Sequence, residues 1–357
     1  MRYYGCKEKL LYFIESGVEK TGINHGSVFC DLFSGTTTVA RYFKSKGYTT
    51  FANDMLEFSY SLARAYIQNN IYPEFKGLHK IVPGMNGSEA NINYVIEHLN
   101  NLPLKEGFIY KNYCPTGTEN AQFQRKYFSD YNGKKIDTIR THIEEWKNEN
   151  KINEDEYYIL LTSLIEAVPF VANISGNYAA YLKNWDPRAL KKLQMRVPNI
   201  LKSIRKNKAF KKDANTLIKE IKSDILYLDP PYNERQYASN YFILELIAEG
   251  WFKKEPEIYG KTGMRPYAEQ KSAYCRKSSV KDMFEDLITQ AKTKYILLSY
   301  NDEGLLSEEE ITNILSKRGK VNIFEKAYRR YRSINQDNTD RSSVKEKLYF
   351  VKVSRGN

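Results

Sequence analysis

The 357-residue chain is 41% hydrophobic and 14% aromatic, enough to pack one large or about two smaller domains, which excludes wholesale disorder. Its net charge of +12 favours a polyanionic partner, because neutralising phosphates releases counterions. Cys6, Cys30, Cys114 and Cys275 are too far apart for a zinc-binding CxxC pair, His25, His79, His98 and His142 share no ligand spacing, and no apolar run has the length of a membrane span or signal h-region, so the expectation is a cytoplasmic protein without metal or membrane partner.

In chain order, "SVFCDLFSG" reads as a short apolar strand that breaks at Ser34-Gly35, and "TTVARYFKSKG" as a helix closed by Gly47. "YTTFAND" follows as a second strand and "LEFSYSLARAYIQNN" as a second helix with apolar spacing at three and four. Strand–helix alternation of this kind signals a parallel sheet. From about Tyr72 to Lys212 no strong strand is predicted; "SEANINYVIEHLNNL", "GKKIDTIRTHIEEWKNEN" and "NEDEYYILLTSLIEAVPFVAN" read as helices. The alternation resumes with the strand "DILYLDPPY", helices over "NYFILELIAEGW" and "VKDMFEDLITQAK", and the strand "KYILLSYN". The last segments, "VNIFEKAYRRYRSINQ" and "SSVKEKLYFVKV", predict two strands around a polar turn, hence an antiparallel edge hairpin. The predicted architecture is one α/β domain, residues 1–71 and 207–357, interrupted by a largely helical insertion at 72–206.

In open α/β sheets ligands bind beyond the carboxyl ends of strands, where the strand order reverses. "DLFSGTTTVA" offers such a place: Asp31, a tight turn at Ser34-Gly35, then a helix N-terminus. Gly35 permits close backbone approach, but the turn has a single glycine and lacks the Gly-Lys-Ser/Thr of a P-loop. So lean a turn suits a ligand without phosphates, and Asp31 would attract a cationic one. Asp54, about 20 residues further on, ends the second strand where an acid hydrogen-bonds a ribose diol. S-adenosylmethionine carries a sulfonium, an amino group and a ribose but no phosphate, and so meets these requirements. Helix capping is the alternative use of both acids.

The turn "DPPY" raises a separate question, since an acid followed by two prolines is an unusual end for a strand. A nucleobase amine is a poor nucleophile because its lone pair is delocalised into the ring. Acceptors on its hydrogens localise that pair and aim it at a methyl group; a carboxylate oxygen of Asp229 and the carbonyl of Pro230 would serve. Pro230 and Pro231 fix φ and remove competing N–H donors, and Tyr232 can stack on the face of the base. A sulfonium is already a good leaving group, so neither a metal nor a covalent intermediate is needed.

Together "DLFSGTTTVA", "NDMLEFSYSLARAYIQNN" and "DPPYNERQYASNYFILELIA", with "VANISGNYAAYLK" and "YILLSYNDEG", resemble the N6-adenine-specific DNA methyltransferases of the alpha group, the class of Dam methylase, and within it the FokI/MboII-type modification enzymes. The resemblance covers most of the chain. It implies a Rossmann-like, mostly parallel seven-stranded sheet with an antiparallel final strand, and a target-recognition region between the two motifs, where 72–206 lies. It implies methyl transfer from S-adenosylmethionine to N6 of an adenine flipped out of double-stranded DNA, within a restriction–modification system whose endonuclease is a separate partner protein. Carried over by position, Asp229, Pro230, Pro231 and Tyr232 would be catalytic. Asp31, Phe33, Ser34 and Gly35 would line the cofactor, and Asp54 would hold its ribose. "YYGCKEKLL" resembles the segment that closes over the methionine part, implying Tyr4, Gly5 and Lys7; "KKDANTL" implies Asp213 and Ala214 at the cofactor's adenine.

Ten lysines and arginines lie between Arg188 and Lys212. Lys191, Lys192 and Arg196 among them are expected at DNA phosphates, with a solvated face as the alternative. "NERQY" borders the base pocket, so Asn233, Arg235, Gln236 and Tyr237 are expected at purine edges or in the gap left by an extruded base. Arg330, in the basic and aromatic "YRRYRS", is expected at phosphates. Two other readings stay open: a methyltransferase for RNA or another planar amine, and a non-catalytic DNA-binding subunit with a vestigial cofactor site.

Overall fold

A computed structural model describes residues 7–85, 91–329 and 343–354. Its strands are β1 (Val28–Asp31), β2 (Thr49–Asn53), β3 (Lys208–Phe210), β4 (Ile225–Leu228), β5 (Tyr295–Asn301), β6 (Val321–Arg329) and β7 (Ser343–Lys352). They join in one seven-stranded sheet, ordered β3-β2-β1-β4-β5-β7-β6. The strands β1 to β5 run parallel, and β7 enters antiparallel between β5 and β6. The sheet therefore has the mostly parallel character and antiparallel last strand that were expected. One expectation fails: the stretch read as strandless contains β3. At three residues, on the sheet edge and only partly covered, it is too short to show a period of two.

The chain divides into two compact units. The sheet unit comprises the described parts of Tyr4–Ala63, Leu201–Gln236 and Glu269–Asn357. The central parallel strand β4 is buried on both faces, which is why it reads as the unbroken apolar run Ile-Leu-Tyr-Leu. On one face Ile225 and Tyr227 pack with Phe29, Leu297, Leu348 and Phe350 under the helices Leu11–Glu19 and Thr38–Ser45. On the other, Leu226 and Leu228 pack with Ile296 and Leu298 under Ala214–Glu220, Val280–Gln290 and Glu308–Ser316.

The second unit takes in Arg64–Ile200 and also Tyr237–Ala268, so the insertion expected at 72–206 is too narrow a description. The segment after the Asp-Pro-Pro-Tyr turn leaves the sheet unit because its helix Phe242–Glu249 is apolar nearly all round. Within this unit Phe242 meets the rings of Tyr113 and Tyr127, and buried Arg140 donates from Nε to the Ile247 carbonyl at 2.7 Å. The helix Asp130–Asn148 starts at the Ser129 cap, and Glu154–Ala167 at a capping box made by Asn153 and Glu156.

The basic run carries no helix in residues 188–200. It is an extended strap whose backbone is satisfied by side chains instead of a ladder. Asn132 donates to the carbonyls of Ala189 and Lys191 and accepts from Leu193 N–H; Asn100 pairs with both backbone groups of Met195. Leu193 and Met195 are buried while Lys192, Gln194 and Arg196 are exposed, so alternation alone sorts anchors from charges. Among the described residues, no helix is long and apolar enough to cross a membrane.

Candidate active site

Strand order reverses between β1 and β4, and these are the strands that end in the two motifs. Asp31 lies in register with Tyr227, and Leu32 N–H donates to the Tyr227 carbonyl at 3.2 Å. The glycine turn and the Asp-Pro-Pro-Tyr turn thus leave neighbouring parallel strands at the same edge of the sheet, at the switch point where α/β sheets bind ligands. Asn53 stitches the adjoining strand ends: its amide donates to the carbonyls of Leu32 and Lys212 and accepts from Lys212 N–H, each at 3.1 Å.

In the glycine turn Gly35 has φ 48°, a conformation that favours glycine. Its N–H donates to Asp54 Oδ2 at 2.9 Å, while Leu56 N–H donates to Asp54 Oδ1 at 3.0 Å. Asp31 Oδ2 accepts from Ala40 N–H at 3.2 Å, which makes Asp31 a tie to the following helix as well. Its other oxygen, Oδ1, and the hydroxyl of Ser34 are buried without a partner among the described residues. Native interiors rarely leave such atoms unpaired. Burial, and next the Asp229 carboxylate, push the Asp31 pKa well above the usual range; burial raises Asp54 to about 6 against its backbone hydrogen bonds. A cation placed beside acids in this state offsets the cost of their negative charge.

The second turn carries the other half of the site. Side chains on a strand alternate between faces, so Asp31, Tyr227, Ser299 and Glu346 share the face formed by Phe29, Ile225, Leu297, Leu348 and Phe350. Asp229 continues that phase just past β4. Over this polar row sits Lys7, whose ammonium lies 3.1 Å from Asp229 Oδ1 and 2.8 Å from Glu346 Oε1. Ser299 donates its hydroxyl to the same Glu346 oxygen. Burial would lower the Lys7 pKa, but Asp229 and Glu346 outweigh it and hold the amine charged. Burial lifts Asp229 to about 6 against the attraction of Lys7, so it is a carboxylate at neutral pH. Among the described residues, no hydrogen bond reaches Asp229 Oδ2 or the Pro230 carbonyl. Tyr232 is half-buried, meets Tyr300 edge-on with ring centroids 6.3 Å apart, and its carbonyl accepts from Leu305 N–H at 2.9 Å.

The other expected residues are spread over several elements. Phe33 sits edge-on to Tyr274 at 5.0 Å, and Tyr274 donates to Asn215 Oδ1 at 2.7 Å. Asp213 is exposed and caps the helix Ala214–Glu220 through Thr216 N–H, while Ala214 is buried in the core. In the loop after Tyr232, Asn233 closes a turn by accepting from Arg235 N–H, and Arg235 has an exposed side chain. Gln236 departs from expectation: both ends of its amide pair with the backbone of Ser272, so it shapes the loop instead of standing ready at a base edge. Tyr237 stacks on Tyr241 in the helical unit, where Lys191, Lys192 and Arg196 are exposed on the strap. Tyr4, Gly5 and Arg330 lie outside the described residues. Sequence reasoning missed Asn53, Tyr274, Ser299 and Glu346. Glu346 left one trace, an acid in phase with the apolar residues of β7.

A family model described as D12 class N6 adenine-specific DNA methyltransferase matches residues 3–314. The chain belongs to this family. Type II methyltransferase M.FokI of Planomicrobium okeanokoites is 45% identical over 98% of the chain, and modification methylase StsI of Streptococcus sanguinis is 42% identical over 98%. The chain spans about half of each of these two relatives, 52% of their length. Type II methyltransferase M.NlaIII of Neisseria lactamica is 41% identical over 95% of the chain and 94% of its own length.

Proposed function

We propose that the protein transfers a methyl group from S-adenosylmethionine to N6 of an adenine flipped out of duplex DNA. One observation carries this reading: unpaired buried acceptors in the glycine turn adjoin a carboxylate with one open oxygen, at the switch point between β1 and β4. Asp31 Oδ1 and Ser34 Oγ fit the donor's amino-acid part, and Asp54, part-buried just past β2, fits its ribose. Phe33, Gly35, Asp213 and Ala214 belong to the same rim, where Asp213 also caps a helix. When bound, the donor supplies a methyl group on a positively charged sulfur.

The chain's own residues then prepare the nucleophile. Asp229 Oδ2 and the Pro230 carbonyl accept the two amine hydrogens, which localises the N6 lone pair and points it along the transfer line. Pro231 stiffens the turn and Tyr232 holds the purine plane. The Asp229 carboxylate would stabilise the positive charge that develops on N6 during the transfer. Asp229 then takes the surplus proton, restoring a neutral methylamino group.

The helical unit, with Lys191, Lys192 and Arg196 along its strap, supplies phosphate contacts and target recognition. Asn233 and Arg235, which follow the catalytic turn, border the flipped base. The family context supports the modification half of a restriction–modification system, with a separate endonuclease and the cytoplasm as the compartment. A labelled donor offered with duplex DNA, RNA and protein tests the reading. Label confined to adenine of the duplex is the expected result; label in RNA alone, or no transfer to any duplex, overturns it.

A further inference from the structure

The Lys7 cluster has an odd charge count. An ammonium facing one carboxylate would form a complete pair and close it off. Here two acidic side chains share one ammonium. Glu346 is 1% exposed on β7, where its neighbours in phase are Leu348 and Phe350. A leucine there would avoid the cost of burying a charge, so stability does not explain the acid. Glu346 also keeps Oε2 without a partner among the described residues, while Oε1 accepts from both Lys7 and Ser299.

We propose that Glu346 is a positioning residue for the transfer reaction: it draws Lys7 to one side, so that the ammonium meets only Oδ1 of Asp229 and Oδ2 stays open for the adenine amine. The inference rests on the functional reading above and adds to it a residue remote in sequence. Without the Glu346 charge, Lys7 has Asp229 as its only anionic partner in the cluster. It then settles on that carboxylate and competes with the amine for its oxygens. Without Lys7, Asp229 faces Glu346 and Asp31 with no cation between them. The titratable groups facing Asp229 are Lys7 before the first helix, Asp31 on β1, Tyr227 on β4, Tyr232 in the turn and Glu346 on β7. Lys7 is the sole cation among them in the described residues.

The two losses therefore move Asp229 in opposite directions, which a residue of purely structural importance would not do. The test is a pH titration of the whole, donor-free protein labelled with carbon-13 at the aspartate carboxyls, the Asp229 signal being assigned by its loss in Asp229→Asn. Glu346→Gln keeps the side chain's shape and is expected to lower the Asp229 midpoint; Lys7→Met is expected to raise it. Single-turnover transfer to duplex DNA near neutral pH should fall roughly ten- to a hundredfold in Glu346→Gln, the scale of a misplacement of about 1 Å. An unmoved or raised midpoint in Glu346→Gln overturns the proposal, as does an unmoved midpoint in Lys7→Met should the first variant fail to fold. Absence of DNA methylation by the wild type would sink the functional reading, whereas the titration, run without donor or DNA, reports on Glu346 alone.

Discussion

Two aspartates raised by loss of water, the buried Asp137 in one unit and the part-buried Asp229 in the other, deal with the same electrostatic problem differently. Asp137, 1% exposed in the helix Asp130–Asn148, accepts from the backbone N–H groups of Gly107, Ile109 and Tyr110. It caps the helix Phe108–Tyr113, and both of its oxygens are in use. Asp229 is met by the Lys7 ammonium at one oxygen and keeps the other open. Burial raises both, Asp137 to about 7 and Asp229 to about 6. A raised carboxylate is thus not by itself a sign of chemistry. What separates the two is whether the surrounding chain has used up the acceptor.

The comparison breaks if the two alanine variants behave alike. Asp137→Ala strands the amides that start a helix and is expected to cost about 3 kcal/mol, read by denaturant unfolding. Transfer per folded molecule should be unchanged. Asp229→Ala should stay within about 1 kcal/mol of the wild type, because Lys7 keeps Glu346 as its partner. Equal losses of stability would mean that Asp229 is a structural residue as well.

A pH profile sharpens the same contrast. Asp229 accepts from the amine only when ionised, so kcat/KM for DNA should fall as pH drops through about 6. The sign follows from a pKa raised above the ordinary 3.8: protonation begins closer to neutrality than for an exposed aspartate. An acid limb near the ordinary value would show that the carboxylate is not buried in the working enzyme. Asp137→Asn should leave the limb in place.

The smallest effect is expected on the strap. Replacing Lys191, Lys192 and Arg196 together with alanine should leave the fold intact, since Leu193, Met195, Asn100 and Asn132 anchor the segment. If each residue meets one phosphate, the slope of log affinity against log salt should fall by about 2.7, measurable by fluorescence anisotropy on duplex DNA. An unchanged slope would make the strap a solvated face.

These differences track what the chain reveals before folding. The Asp229 turn and the Ser34-Gly35 turn were legible because each is a short run with residue types fixed by local chemistry, and both lie at strand ends marked by apolar runs. Their adjacency followed from the parallel sheet. Glu346 was not legible as a partner of Lys7, since only the pairing of β5 with β7 brings these two segments of the chain together. The edge strand β3 was lost inside a basic run, and the return of Tyr237–Ala268 to the helical unit depends on packing that no local pattern announces. Gln236 reads as a base reader by residue type and by its place after the catalytic turn; its engagement with Ser272 is a tertiary fact.

The central claim is that the open oxygen of Asp229 prepares an adenine for methylation. Its most direct test is nucleoside mass spectrometry of unmodified duplex DNA after incubation with donor and either wild-type protein or Asp229→Ala. The wild type should build up N6-methyladenine, and the variant should lose it by roughly a thousandfold while retaining its fold. Comparable N6-methyladenine from the variant, or methylcytosine as the wild-type product, would contradict the account.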